Sequence, residues 1–363
     1  MVIICDCYYR SSITAIRSFS NAGEEVIAVT TSDHKYPPSF SSKHIKEKHV
    51  LSSSHNEYKD QLIELCLKYD NPIIFPVGKF TLEIISKYKS DFNKIARFTV
   101  PLFELLNDLN DKKWVKEKAI GCGINVPSKF NLDNVSDFPV VVKPFCGEKF
   151  NLKAEDRYTI AYNRTELEQA YERYLKYDEQ PIIEQYIKGQ GIGVSVLFDN
   201  DSKPLTVFCH KRLAEYPING GPSALLETFY DEQLINNTIS FFEKSGLNGF
   251  AMAEYKLADD GYYLLEVNPR IWGSFPSTLP CHSNFITSYI RACNGAGGLD
   301  VQYDVNRKIK FSRGLIMVIL SYAKKLNLIM AVKMLIALIN PSIKGALSSF
   351  SDIKPTIRDF FRR

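Results

Sequence analysis

Eight cysteines are scattered along the 363 residues with no C-x-x-C pair and no histidine cluster, so the chain lacks both zinc-ligand spacing and a disulfide framework. A reducing, cytoplasmic setting is expected. No G-x-S-x-G elbow and no Cys-His signature marks a protein nucleophile. No window approaches the roughly 18 uninterrupted apolar residues of a membrane span, and no internal repeat is evident. The opening MVIICDCYYR has no basic residue ahead of its apolar run, which Asp6 interrupts, so it reads as a buried first strand and not as a signal peptide. Basic residues lack interleaved aromatics except near Phe360 and Phe361, which leaves nucleic acid out of the expected partners.

What is present has globular proportions: 45% hydrophobic and 24% charged residues, enough for two or three modules with separate cores. VIIC, a polar stretch carrying Ile13, Ile16 and Phe19 at helical spacing, then VIAVT, read as strand, helix and strand. A Ser/Pro/His-rich loop at 31–44, a helix with Leu62, Leu65 and Cys66, and the buried strand NPIIFPV continue the pattern into a small open parallel sheet. The segment 111–120 is helix-like, and GCGINVP breaks the chain before a new module. There FPVVVKPF, PIIEQYI, GVSVLF, LTVFCHKR, AMAEYKL and YYLLEVNP predict strands with few helices between them, an α+β region after an α/β one.

The chemistry gathers near the last two strands. If AMAEYKL and YYLLEVNP pair through the turn Asp259-Asp260-Gly261, alternation puts Glu266 and Asn268 on one face, with Glu254 facing them across the ladder. Such hard oxygen ligands suit magnesium. Arg270, two residues on, is expected on the same face, where a guanidinium neutralises charge on a transferring group. The bland alternative is an exposed hairpin whose carboxylates merely pair with Arg270; against it, Glu266 directly follows the apolar YYLL, where burying a carboxylate needs compensation. Lys143 closes the strand PVVVK, and Lys112 opens a helix after Asp111; either is also an ordinary strand-end or helix-start lysine. HKRLAEYPINGGPS puts His210, Lys211 and Arg212 ahead of a glycine loop that can approach phosphate closely or be a surface hairpin.

In this order the pieces resemble the ATP-grasp superfamily, in particular its carboxylate–amine ligase branch, over about residues 1–298. The resemblance implies an ATP-grasp fold: a Rossmann-like pre-ATP-grasp domain at 1–105, a small lobe at 106–187, a large lobe with the metal site at 188–300, and a helical tail at 301–363. It implies ATP and Mg2+, with Mn2+ as a substitute, and assigns Glu254, Glu266 and Asn268 to the metal and Arg270 to phosphate and the reacting carboxylate. Lys112 and Lys143 fall to ATP, with Lys113 an adjacent competitor, and Glu184, Gln185, Tyr186 and Ile187 to the adenine. Arg212 takes the place of a basic residue near the phosphates with Lys211 beside it, and the GGPS loop closes over an acyl phosphate. Two departures stand out: Gly193 lies where a ribose-binding acid is usual, and the loop FCGEKFNLKAED after Lys143 has one glycine. The implied reaction joins a small-molecule carboxylate to an amine; a homodimer is left open, and Arg10, Ser11 and Gly78 are the first-domain guesses for substrate selection.

The last stretch lies outside this resemblance. From Arg307 onward twelve Lys or Arg face two Asp, a net of +10 within a chain total of +4, which leaves about −6 for residues 1–306. GLIMVILSYAKKLNLIMAVKMLIALI predicts two apolar helices. Either they pack on the body, or the region 314–340 rests peripherally on the inner face of an anionic membrane, next to a sugar or lipid-linked acceptor. A non-catalytic ATP sensor is the third reading; the set Glu254, Glu266, Asn268 and Arg270 speaks against it, because a sensor has no transferring group to stabilise.

Overall fold

The computed structural model describes residues 1–144, 152, 156–177, 179–218 and 220–362. These form a mixed α/β protein with three sheets among the described residues, two of them four-stranded and one seven-stranded.

The first sheet is parallel. Strands β1 (Val2–Cys5), β2 (Val26–Thr31), β3 (Ile45–Leu51) and β4 (Ile73–Pro76) lie in the order β3-β2-β1-β4. Its first three strands are linked by α1 (Ser11–Asn21) and a loop of 3-10 turns, and α2 (His55–Leu67) leads to β4. β1, β2 and β4 are continuously buried, as strands covered on both faces must be; β3, one of the two edge strands, alternates half-buried and exposed because one of its faces is open to solvent. Its charged IKEKHVL hides that strand from a reading based on apolar runs. Ile13, Ile16 and Phe19 of α1, and Leu62, Leu65 and Cys66 of α2, are buried as their spacing predicts.

Asp6 ends β1 at φ +55° and is fully buried, its carboxylate accepting from the Gly78 N–H and the Thr81 hydroxyl, both at 2.9 Å. Burial pushes its pKa up to about 6 against those two hydrogen bonds. Because the folded value lies above the unfolded one, this contribution to stability is full below about pH 4 and is lost as pH rises through 6, roughly 3 kcal/mol in all. Asn fits here: it tolerates positive φ, its oxygen can take the Gly78 N–H, and its amide can donate to Thr81, whose hydroxyl can turn to Tyr58 Oη at 2.7 Å. Asp6→Asn is therefore expected to flatten the stability profile between pH 4 and 7 in urea titrations, with no loss at pH 7.

Helices α3 (Lys79–Lys87), α4 (Lys89–Phe92) and α5 (Phe103–Asn110) lead to α6 (Lys112–Gly121), capped by Asp111, whose carboxylate accepts from the N–H groups of Lys113 and Trp114. The second sheet is antiparallel: β5 (Lys129–Phe130), β6 (Val140–Lys143), β7 (Thr159–Ala161) and β8 (Ile182–Gln185) in the order β5-β8-β6-β7, backed by α7 (Arg164–Leu175) through Leu167, Ala170 and Tyr174. The loop FCGEKFNLKAED falls largely at 145–151 and 153–155, outside the described residues.

The largest sheet has the order β13-β12-β9-β10-β11-β14-β15, from β9 (Gln190–Phe198), β10 (Pro204–Glu215), β11 (Ser223–Thr228), β12 (Gly249–Ala258), β13 (Gly261–Asn268), β14 (Lys308–Lys310) and β15 (Lys344–Gly345). α8 (Glu232–Ser245) covers one face, with Val194, Val196 and Phe198 against Phe241 and Phe242. The other face shares its core with the first domain: α9 (Phe285–Cys293) puts Tyr289 between Phe75 and Phe250, ring centroids 5.0 and 5.3 Å away, and its hydroxyl donates to Ile74 O at 2.6 Å. A shared core of this kind fixes the first domain against the strands that carry the site.

The last 60 residues are not only helical. β14 pairs with β11 and β15 runs parallel to β14, so this segment extends the large sheet on either side of a hairpin formed by α10 (Ser312–Lys324) and α11 (Leu328–Ile339). α12 (Ile353–Phe360) then returns to the first domain, and Arg17, 3% exposed, binds Asp352 Oδ2 at 2.9 Å and Leu347 O at 2.8 Å.

Candidate active site

The Asp259-Asp260 turn, with Gly261 at φ +136°, joins β12 to β13 and sets a register in which Glu254 faces Glu266 and Met252 faces Asn268. Glu254, Glu266 and Asn268 thus share one face, and Asn268 Nδ2 donates to Glu254 Oε1 at 3.1 Å. Glu266 is exposed, because β13 is the sheet edge and only Leu264 and Val267 of its end go inward, so no burial cost argues for a ligand there. Arg270 lies beyond β13, past Pro269, so strand alternation does not place it. A turn does, through its N–H to Asn268 O at 2.9 Å, and its guanidinium donates to Ile271 O at 3.2 Å.

Across the sheet, Gly193 of β9 sits opposite both Glu254 and His210. A Cβ on Gly193 would fall 2.3 Å from His210 Cε1, and one on Gly191 would fall 3.2 Å from Arg212 Cδ, so both glycines let long side chains of β10 lie flat across β9. Arg212 uses the passage to reach Glu254 Oε2 at 2.6 Å, and it also approaches Glu215 at 3.4 Å and Gly221 O at 3.5 Å. Burial alone would lower its pKa, but Glu254 and Glu215 outweigh that and leave it raised. His210 is fully buried, with Nε2 3.3 Å from Ser274 Oγ; burial first and Arg212 second push its pKa down to about 3, so the imidazole is neutral. The glycines at i and i+2 in GQGIG were the legible signal for this passage. Lys211, which the resemblance set beside Arg212 near the ATP phosphates, points by alternation to the opposite face of β10 and pairs with Glu227 at 2.8 Å.

On β8 of the second sheet, Glu184 is buried between two lysines: Lys143 Nζ at 2.7 Å and Lys116 Nζ in contact with the other oxygen. Burial raises its pKa, but the two cations win and hold it below the usual carboxylate range. Lys116 was missed, although it lies one turn after Lys112 on the same helix face. Lys112 is near enough to contribute to depressing the Lys116 pKa, which burial lowers most, whereas Lys113 is 73% exposed and turns to Glu117. The Gln185 N–H, expected to be free for a base, is taken by Ser128 O at 2.9 Å. Ile187 is buried and Tyr186 half-buried; among the described residues neither backbone has a hydrogen-bond partner.

The glycine loop packs against Tyr158. A Cβ on Gly220, which has φ +146°, would lie 2.0 Å from the Tyr158 hydroxyl, and one on Gly221 would lie 2.3 Å from Tyr216 O, so only glycine fits at either place. Of the first-domain guesses, Ser11 Oγ donates to Trp272 O at 3.1 Å just past the end of β13, Gly78 supports Asp6, and Arg10 turns away to Asp359 at 2.9 Å.

Known proteins share the fold and part of the sequence. Residues 109–274 match the ATP-grasp domain family. A D-alanine--D-alanine ligase of Syntrophotalea carbinolica (strain DSM 2380 / NBRC 103641 / GraBd1) is 28% identical over 165 residues, 41% of this chain and 50% of that protein. The chain thus matches half the length of that ligase. The biotin carboxylase domain of Hydrogenobacter thermophilus 2-oxoglutarate carboxylase, solved with MgADP, ADP and bicarbonate, superposes with a TM-score of 0.63 at 17% identity over 85% of this chain and 73% of that one. An L-amino acid ligase from Bacillus licheniformis gives 0.55 at 17% identity over 80% and 73%. Residues 109–274 are thus similar to the ATP-grasp domain family, and the fold is shared with a biotin carboxylase domain and an L-amino acid ligase.

Proposed function

We propose that the protein is an ATP-dependent carboxylate–amine ligase that forms an amide through an acyl phosphate. The observation that carries this reading is the facing pair Glu254 and Glu266 with Asn268 alongside and Arg212 reaching in across Gly191 and Gly193. Two carboxylates and an amide fit magnesium, which takes few protein oxygens and keeps its other positions for water and substrate phosphates. Bound there, the ion supplies charge neutralisation to the transferring phosphoryl group.

The chain's own residues do the rest by position. Lys143 and Lys116, held at Glu184, present a doubly cationic edge to the ATP phosphates, with Lys112 close by. The backbone of Tyr186 and Ile187, without a hydrogen-bond partner among the described residues, offers an amide edge for adenine. Arg212 and Arg270 stabilise charge on the phosphoryl and on the tetrahedral centre formed when the amine attacks, and the Gly220-Gly221 loop excludes water from the acyl phosphate. The substrate carboxylate attacks the γ-phosphoryl in line, ADP leaves, and the amine displaces phosphate. The similarity to a D-alanine--D-alanine ligase and to an L-amino acid ligase supports amino acids as substrates. The test is mass spectrometry of products from Mg-ATP with paired acids and amines; an amide formed with ADP and phosphate is the expected outcome, and ATP bound without turnover on any pair counts against it.

A second reading keeps this chemistry and puts the acceptor on a sugar or lipid-linked intermediate at a membrane. The apolar outer face of α11 favours it.

A further inference from the structure

A helix that packs on a protein body normally turns polar residues outward. α11 does not. Its inner side, Ala331, Met334 and Ala337, packs against α10 and β11, while its outer side carries Leu328, Ile329, Val332, Leu335, Ile336 and Ile339. Ile329 is 83% exposed and Ile339 70%. The one charged residue of the helix, Lys333, is also outward, and exposed Lys324, Lys325 and Lys344 flank it. From residue 305 to 351 the sequence has no Asp or Glu and eight Lys or Arg. Among the described residues no helix is long and apolar enough to cross a membrane.

We infer that the outer face of α11 seats the protein on an anionic lipid surface, lying in the headgroup layer with its aliphatic side chains among the acyl chains and its lysines on the lipid charges. Charge selects this occupant. A second copy would bring the same acid-free, lysine-rimmed face against its equal, and the like charges would repel. A neutral lipid surface would leave the lysines without partners. Interfacial helices combine these two features, an apolar face inserted a few ångströms and basic residues at its border. Each lysine close to an anionic leaflet is worth roughly fivefold in partition. The inference deepens the second reading by naming its surface, and its test measures lipid partition without turnover, so failure of either leaves the other standing.

The experiment is co-sedimentation of the full chain with phosphatidylcholine vesicles with and without phosphatidylglycerol. The wild type is expected to partition to the mixed vesicles and weakly to the neutral ones. Ile329→Glu with Ile336→Glu, at positions already in solvent, should abolish partition while leaving the melting temperature unchanged. Lys324→Gln, Lys325→Gln and Lys333→Gln together should weaken it on the order of a hundredfold at low salt. Equal partition of wild type and the double glutamate variant overturns the inference. So does a wild-type dimer, seen by sedimentation velocity, that ignores vesicles and becomes a monomer in that variant.

Discussion

Arg17→Ala is expected to cost about 3–5 kcal/mol of stability, the largest single loss outside the aromatic core. The guanidinium is buried in α1 and makes four bonds to the C-terminal segment, to Asp352 Oδ2, the carbonyls of Leu347 and Asp352, and the Thr356 hydroxyl. Removing it strands Asp352, which is 4% exposed and also accepts from Ser42 Oγ and the Lys43 N–H. Lysine does not replace a fork that engages several acceptors at once, so Arg17→Lys should recover little. Burial raises the Asp352 pKa, but Arg17, Lys43 and Ser42 together leave it lowered. Its contribution is therefore present above the ordinary carboxylate pKa and is lost as pH falls through the lowered value. Urea midpoints of the three proteins at pH 7 check the energy, and limited proteolysis near residue 350 checks that it is the C-terminal segment that comes loose.

Arg212→Ala is expected to reduce turnover by on the order of 10²–10³-fold, with a smaller fall in stability. The arginine links three parts of the site: Glu254 of the hairpin, Glu215 at the end of its own strand, and the glycine loop through Gly221 O. Without it Glu254 loses its nearest cation and the loop loses its anchor, so kcat should fall more than KM rises. Arg212→Lys should remain near the alanine value, because a single ammonium cannot hold all three. Steady-state phosphate release across both variants, with circular dichroism to confirm the fold, reads the effect.

Much of this was legible in the sequence because it rests on short-range rules. The hairpin that brings Glu254, Glu266 and Asn268 to one face follows from period-2 alternation and a two-residue turn, and the parallel sheet from strands alternating with helices. What escaped depends on who sits opposite whom. β3 was hidden because an edge strand needs only half its side chains apolar, and β14 and β15 because three-residue and two-residue strands carry no period. The pairing of Lys116 with Glu184 joins residues 68 apart, and the turning of Lys211 to Glu227 follows from a register that no local pattern contains. Gly191 and Gly193 were readable as positions of close approach, but the side chains that approach come from the next strand.

The most direct test of the account is phosphate release from Mg-ATP, in the presence of an acid and amine pair, by the wild type and by Glu266→Ala. Glu266 is exposed at the sheet edge, so its loss should leave folding intact and act on the site alone. The account predicts release that requires both substrates, rises and saturates with magnesium in the wild type, and falls at least a hundredfold in the variant. Undiminished release by Glu266→Ala at the same magnesium concentration would contradict it.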